Sequence, residues 1–389
     1  WFWDPVENVS LMPWLCLTAL LHCIMVLEKR LSFTSWAVIL SIVTFILSLS
    51  GTFLVRSGIL NSVHTFANDP ERGIFILIFL FILIFISLII FFVFHKENNQ
   101  KIVKIYWLSK ETSILVNNWF LMYFLSVVLI GTVYPIFLEV LSSEKISVGP
   151  PFYHKLIIPF LIPFLLFMSI GPNLNWIKSK IKKVRIEIII LFVISLLVSL
   201  LISRKIGSVN LTNIVLISAA FYLFFITVKD FFSKKFKNYP QKISHFGFSL
   251  LILSIILNSI FSSEVITNLK VGEKFSFKEE SITFESIENT ESKNYRSIIG
   301  HFKIEDKQKN SIQLKPELRI YDQPFTITSE ADIKTTLYYD KFLVMNLVKG
   351  NEYFNVRYQF KPFMIWIWIS TLLLIIGGIF SLFKRIYEK

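Results

Sequence analysis

Cysteine is almost absent. The 389 residues hold two, Cys16 and Cys23. Seven residues apart in one apolar run, they would sit about 10 Å apart along a helix, too far to bridge. No C-x-x-C-H haem-attachment motif occurs, so the chain is not itself a c-type cytochrome. Acidic residues are also scarce, 27 Asp and Glu against 40 Lys and Arg, for a formal net charge of +13. Long stretches lack charge altogether, and a composition that is 54% hydrophobic with 40 Phe excludes an ordinary soluble domain. The chain lacks an opening Met and shows no cleavable signal peptide. It starts on Trp1-Phe2-Trp3-Asp4, and the expectation is a C-terminal fragment whose N-terminal region is missing.

What is present is a series of segments able to cross about 30 Å of hydrocarbon. They fall near 10–27, 36–54, 74–94, 119–138, 155–173, 186–202, 211–228, 244–261 and 364–383. Pro159, Pro163 and Pro172 should kink the fifth, and the fourth is expected to end at Tyr134-Pro135. Lysine and arginine concentrate in alternate connections: Lys29-Arg30, Lys96 to Lys110, Lys178 to Arg185, Lys229 to Lys242, and Lys384-Arg385. The positive-inside rule puts those on the cytoplasmic side and puts 1–9, 55–73, 139–154 and 262–363 outside, with 203–210 a mild exception. The net charge therefore reads as topogenic, and no nucleic-acid partner is expected. From 262 onward, charged residues become frequent and apolar ones alternate, as in Phe275-Ser276-Phe277 and Phe354-Asn355-Val356, the pattern of half-buried strands. The expected fold is an α-helical polytopic membrane protein of about nine spans with a β-rich soluble domain before the last span. Its domains are 1–261, 262–363, and 364–389 as last helix and tail.

Two indoles beside a carboxylate at a helix mouth, Trp1, Trp3 and Asp4, suit a flat, partly charged ligand at the lipid boundary. Asp4-Pro5 with Glu7 also reads as a helix start: an N-cap, a proline at N1 and an acid at N3. Of the six histidines, His95, His154 and His301 read as surface residues. His22 and His245 differ, because ionisable groups inside spans are rare and mostly functional. His22 follows Trp14 and Thr18 on one helical face, and both histidines lie in the inner half of their spans. Packing imidazoles, hydrogen-bonded to a neighbouring helix, are the plain alternative. Two imidazoles at similar depth with no nearby acid fit bis-histidine ligation of a haem better than a carboxylate or thiolate site. His64 falls on a stretch, 59–67, whose pattern suits a short helix on the outer surface, on the side of Trp1 and Trp3.

The combination resembles the CcmF family, the haem lyase subunit of the multi-component cytochrome c maturation pathway. It rests on Trp-Phe-Trp-Asp-Pro-Val-Glu-Asn at 1–8, Thr18-Ala19-Leu20-Leu21-His22, Gly51 to Gly58, Ser62-Val63-His64 and Asp69-Pro70-Glu71-Arg72-Gly73. Val148-Gly149-Pro150-Pro151, His245-Phe246-Gly247, Leu314-Lys315-Pro316-Glu317 and Arg357 to Pro362 carry it along the rest of the chain. The resemblance implies that His22 and His245 are axial ligands of a resident haem b. It implies that His64 ligates a second, outward haem held against Trp1, Trp3 and Asp4, with a further outward histidine not placed in this sequence. Arg56 is a candidate propionate partner, with lipid phosphate as the competing one. The implied partners are apocytochrome c and the other maturation subunits: a haem chaperone and thioredoxin-like and TPR-type proteins that handle the apocytochrome. The implied location is the bacterial inner membrane, or alternatively the mitochondrial one. A haem delivery or export protein of the same tryptophan-rich superfamily is the nearest rival. A membrane transporter or scaffold is the rival of a different class.

Overall fold

The computed structural model describes residues 3–58, 69–94, 105–142, 146–179, 186–207, 210–233, 238–308, 310–348 and 352–387; Trp1, His64 and His95 lie outside the described residues. Among those described, nine helices are long and apolar enough to cross a membrane. A β-rich domain precedes the last of them. The residues group into two compact units, Trp1–Leu223 and Phe224–Lys389.

In the first unit, α1 (Pro5–Arg30) starts on a complete capping box. The Val6 N–H donates to Asp4 Oδ1 at 2.9 Å, and the Asp4 N–H donates to Glu7 Oε2 at 3.2 Å. These bonds satisfy donors that a helix start otherwise leaves unpaired. The helix packs against α2 (Thr34–Arg56) and α4 (Lys110–Ser142). α3 (Pro70–Phe94) leans on α2, starts at Asp69-Pro70 as the sequence suggests, and leaves nearly all its side chains uncovered. The fourth helix departs from expectation: it runs through Pro135 to Ser142. α5 (Pro150–Ile170) also runs through Pro159 and Pro163 as one helix, and Pro172 falls in the 3₁₀ turn that closes it. Proline removes one donor and crowds one carbonyl, and packed neighbours can tolerate that in a membrane helix. α6 (Ile186–Ile206) buries Ser195, Ser199 and Ser203 at every fourth position. Ser199 donates to the Ile214 carbonyl of α7 (Leu211–Phe232) at 2.6 Å, small polar residues letting two backbones approach.

The second unit contains α8 (Tyr239–Phe261), ten strands and α9 (Met364–Tyr387). One sheet orders β1 (Ser263–Leu269), β10 (Phe354–Pro362), β9 (Tyr339–Leu347) and β8 (Asp332–Thr335). The other orders β2 (Lys274–Phe277), β3 (Glu280–Glu291), β4 (Tyr295–Glu305), β6 (Glu317–Asp322) and β7 (Phe325–Glu330), with β5 (Ser311–Leu314) on β4. All pairings are antiparallel; Ile282 faces Ile304 and Val356 faces Met345. Period-two alternation puts Ile282, Phe284, Phe302, Ile304, Leu343, Met345, Val356 and Tyr358 into one core, where the Phe284 and Phe302 rings stack at 4.3 Å. Hydrogen bonds among the described residues tie the domain to the helix ends on either side of it. Asn258 Nδ2 donates to the Pro362 carbonyl, the Phe363 N–H donates to Tyr338 O, and the Trp366 indole N–H donates to Leu337 O.

Candidate functional site

The N-terminal end of α1 carries the most elaborate local structure. Trp3, just ahead of the capping box, holds a left-handed backbone at φ 59°, a conformation that bulky side chains avoid. Its indole lies flat on the ring of Tyr153, with centroids 4.2 Å apart and planes 8° from parallel, and the exposed His154 meets it edge-on at 6.5 Å. The buried Asn8 sits one turn into α1, and its amide nitrogen reaches three oxygens: Trp3 O at 3.2 Å, Thr132 Oγ1 at 3.1 Å and Tyr153 Oη at 2.9 Å. The Thr132 hydroxyl donates to Val128 O at 2.7 Å and so accepts from Asn8. Asn8 Oδ1 is buried without a partner among the described residues. Three stretches distant in sequence thus meet at the start of α1: 3–8, Thr132 and Tyr153-His154.

A groove of about 520 Å³ runs between α1 and α2, lined by Val6, Val9, Pro13, Gly51, Val55 and Arg56 among others. Arg56 is half-buried, and its carbonyl accepts from the Asp69 N–H at 3.0 Å, so the end of α2 is clipped to the start of α3.

Farther along α1, Thr18 donates to Trp14 O and His22 Nδ1 lies 2.8 Å from Thr18 O. A carbonyl only accepts, so Nδ1 carries a proton, which in the neutral imidazole leaves Nε2 its lone pair. This is the second-sphere arrangement that ligating histidines use to fix their tautomer. The stripe Trp14, Thr18, His22 is only part-covered within its unit. The opposite side of α1 is closed: Cys23 accepts from Asn118 Nδ2 at 3.0 Å, Cys16 donates to Leu40 O, and Arg30 pairs with the buried Glu111. Both thiols are free and buried, as their spacing requires.

His245, in the second unit, is half-buried on the second turn of α8. Two residues on, Gly247 sits against α9: a Cβ there would meet Leu373 Cβ at 3.0 Å and Ser370 O at 3.1 Å. The glycine of the H-x-G pattern is therefore explained by helix packing. Lys242 caps the end of α7, donating to Ser233 O at 2.6 Å, so its buried charge is spoken for. His301 pairs with Glu288 at 3.0 Å on the sheet surface, consistent with a surface residue.

The sequence reading named Trp3, Asp4, His22, Arg56 and His245, and missed Asn8, Thr132 and Tyr153. An asparagine in the opening turns of an apolar helix was the available signal, since such a group needs a partner.

A family model described as "CcmF C-terminal beta-sandwich" matches residues 260–362, and one described as "Cytochrome C assembly protein" matches 1–60. The chain is 34% identical to a "Cytochrome c-type biogenesis protein CcmF" of Pseudomonas fluorescens, over 100% of this chain and 60% of that one. It is 33% identical to the protein of the same name in Escherichia coli, over 100% and 61%. The solved structure of "Cytochrome c Heme Lyase CcmF" shares the fold, with a TM-score of 0.76 over 97% of this chain and 60% of that one at 21% identity. The chain spans about 60% of the length of the curated relatives it matches. Through both sequence models and alignments that run the whole length of this chain, the chain belongs to the CcmF family of cytochrome c-type biogenesis proteins.

Proposed function

We propose that this chain carries the haem-handling part of a cytochrome c haem lyase, a multi-pass protein of the bacterial inner membrane. Its substrate is a haem held at the outward end of α1 by Trp1, Trp3, Asp4 and His64. The observation that carries the reading is the Trp3 indole, stacked on Tyr153 while Asn8 holds its backbone carbonyl, at the start of the helix that also lines a groove with α2 and Arg56. Indoles supply a flat apolar face with a polar edge, and a guanidinium suits a propionate.

The chemistry adds the two thiols of an apocytochrome C-x-x-C-H motif across the two vinyl groups of the substrate haem. Each addition forms one C–S bond, and the thiol proton passes to the neighbouring vinyl carbon; nothing leaves. Both nucleophiles come with the substrate, so the protein contributes positioning. Trp3 offers a stacking face, Asp4 orders the helix mouth through its capping bonds, and His64 supplies an imidazole to the substrate iron. A resident haem b, when bound, supplies one-electron reduction that keeps the substrate haem ferrous. His22 fits such a group by donor chemistry: its Nδ1–H is committed to Thr18 O and its Nε2 lone pair carries no hydrogen bond from a described residue. His245 is the proposed second ligand. The β-rich domain at 262–363 faces outward, where apocytochrome and the other maturation subunits meet the protein.

In the full-length protein purified from membranes, His22→Ala or His245→Ala removes the absorbance of the resident haem. His64→Ala spares that spectrum and abolishes cytochrome c formation. Unchanged spectra in the first pair refute the resident site; normal cytochrome c yield in the third refutes the outward one.

A further inference from the structure

We propose that the β8–β9 turn seats its tip residues, Leu337 and Tyr338, in the headgroup boundary of the bilayer. The contact holds the β-rich domain down beside the first turn of α9. Turn tips in water favour glycine, proline, asparagine, aspartate and serine. Other turns of the domain keep to charged, polar or proline residues: Lys278-Glu279 between β2 and β3, Asp306-Lys307 between β4 and β5, Gln323-Pro324 between β6 and β7. The β8–β9 turn instead presents a leucine and a tyrosine, 57% and 74% exposed. A lone exposed leucine is ordinary. What singles this tip out is where it is held.

The Phe363 N–H donates to Tyr338 O at 3.0 Å, and the Trp366 indole N–H donates to Leu337 O at 2.9 Å. Both carbonyls of the tip are thus taken by the start of a span, as a backbone entering the lipid boundary requires. The Tyr338 and Tyr339 N–H groups go to Thr336 Oγ1 at 3.3 and 3.0 Å, closing the turn on itself. The apolar span runs Met364–Lys384, 21 residues, or about 31 Å of helix against about 30 Å of hydrocarbon. With no length to spare, its first residues lie at the boundary. Trp366 and the exposed Trp368 suit that level, where rings with a polar edge collect. Leu337 and Tyr338 hang from the same turn, and Tyr338 has the same character: an apolar ring with one hydroxyl. Leu347, at the other end of the nine-residue β9, stands about 26 Å from Tyr339 by strand rise, well clear of the boundary.

The test places an environment-sensitive fluorophore on Tyr338→Cys, and on Leu347→Cys for comparison, in full-length protein in phosphatidylcholine nanodiscs. Cys16 and Cys23 are buried, and wild type taken through the same labelling supplies the background. At the Tyr338 position the emission is expected to be blue-shifted. Phosphatidylcholine spin-labelled near the glycerol should quench it more than phosphatidylcholine spin-labelled near the chain end. At the Leu347 position the emission stays aqueous and neither lipid quenches it. Adding Leu337→Glu to the Tyr338→Cys protein should move the emission to the red and weaken the quenching, because a carboxylate resists leaving water. Where Tyr338→Cys does not accumulate, Leu337→Cys carries the same expectation. Aqueous, unquenched emission from the tip overturns the proposal. So does a blue shift without quenching by either lipid, which would mean that protein covers the tip. Stronger quenching from the chain end overturns it as well, since the tip would then lie in hydrocarbon and not at the boundary.

Discussion

Phenylalanine is treated in opposite ways by α3 and by the core of the β-rich domain. On α3, Phe81 is 72% exposed and Phe75, Phe85 and Phe92 are similarly bare, whereas Phe284 and Phe302 of the sheets are fully buried. Polar groups run the other way. Asn8, Asn118 and Glu111 are completely buried among the helices of the first unit, while Arg357–Glu264, Lys270–Glu352 and Lys307–Glu279 ring the outside of the β domain. Each region obeys the solvent it is built for. In hydrocarbon an exposed Phe costs nothing and a polar group must find its partner inside; in water the reverse holds. The residues worth attention therefore differ: polar side chains turned inward among the helices, and buried charge in the β domain.

The sharpest way to break that contrast is to empty the β core. Phe284→Ala removes a ring stacked on Phe302 and is expected to cost about 3–5 kcal/mol. Thermal melting of the detergent-solubilised chain, followed by near-UV circular dichroism, reads it. A smaller loss is expected at a buried charge cluster of that domain. Glu280 bridges the two sheets, taking Lys341 Nζ on one oxygen at 2.7 Å and the Tyr358 hydroxyl on the other at 2.6 Å. The Lys341 side chain is only 8% exposed. Glu280→Gln retains one acceptor for two donors and is expected to cost about 1–3 kcal/mol. A stabilised variant would show that the cluster is retained for something other than stability.

These contrasts also explain what could be seen before the fold was known. The spans were legible because hydrocarbon demands about twenty apolar residues in a row, and the strands because one wet face imposes a period of two. Helix ends carried local signals, so Asp4-Pro5 and Asp69-Pro70 could be placed to the residue. The extension of α4 through Pro135 was not legible, since proline marks a stop in water but neighbours can absorb it in a packed bundle. Nor was the Asn8–Thr132–Tyr153 network. Its members lie 124 and 145 residues apart, and no periodicity links residues on different helices. His22 was recognisable as an ionisable group in a span, but the bond from its Nδ1 to Thr18 that settles its tautomer was not.

Acidity tests the wet side of the comparison with smaller effects. Hydrogen bonds from Arg357 and Gln359 hold the Glu264 carboxyl below its ordinary range, and Arg319 does the same to Glu317. A carboxyl depressed on folding stabilises above its unfolded pKa, near 4.3, and loses that contribution as pH falls through the folded value. Asp340 has the opposite sign. Burial raises it, so its contribution is complete below its unfolded value and is lost as pH rises through the folded one. The β domain should therefore melt progressively lower as pH drops below about 4.3, and Glu264→Gln should flatten that slope by under about 1 kcal/mol because the pair is exposed. Asp340→Asn should raise the melting temperature at neutral pH and leave acid behaviour alone. An acid slope unchanged in Glu264→Gln would contradict the first sign, and a neutral-pH melting temperature unchanged in Asp340→Asn the second.

The smallest expected effect is the most diagnostic for the helices. α3 buries only Gly73 and Leu80 among its described side chains. If its phenylalanines meet lipid, Phe81→Ala exchanges one apolar contact for another and should shift stability by no more than about 0.5 kcal/mol, against several for Phe284→Ala. The comparison is best made in full-length protein reconstituted in bilayers, with protease protection as the readout. The chain spans about 60% of its curated relatives' length, so the remainder of such a protein has surface of its own to pack. A loss at Phe81 as large as at Phe284 would show that this face of α3 is a protein interface. The rule that separates the two regions would then stand, and the assignment of lipid to that face would fall.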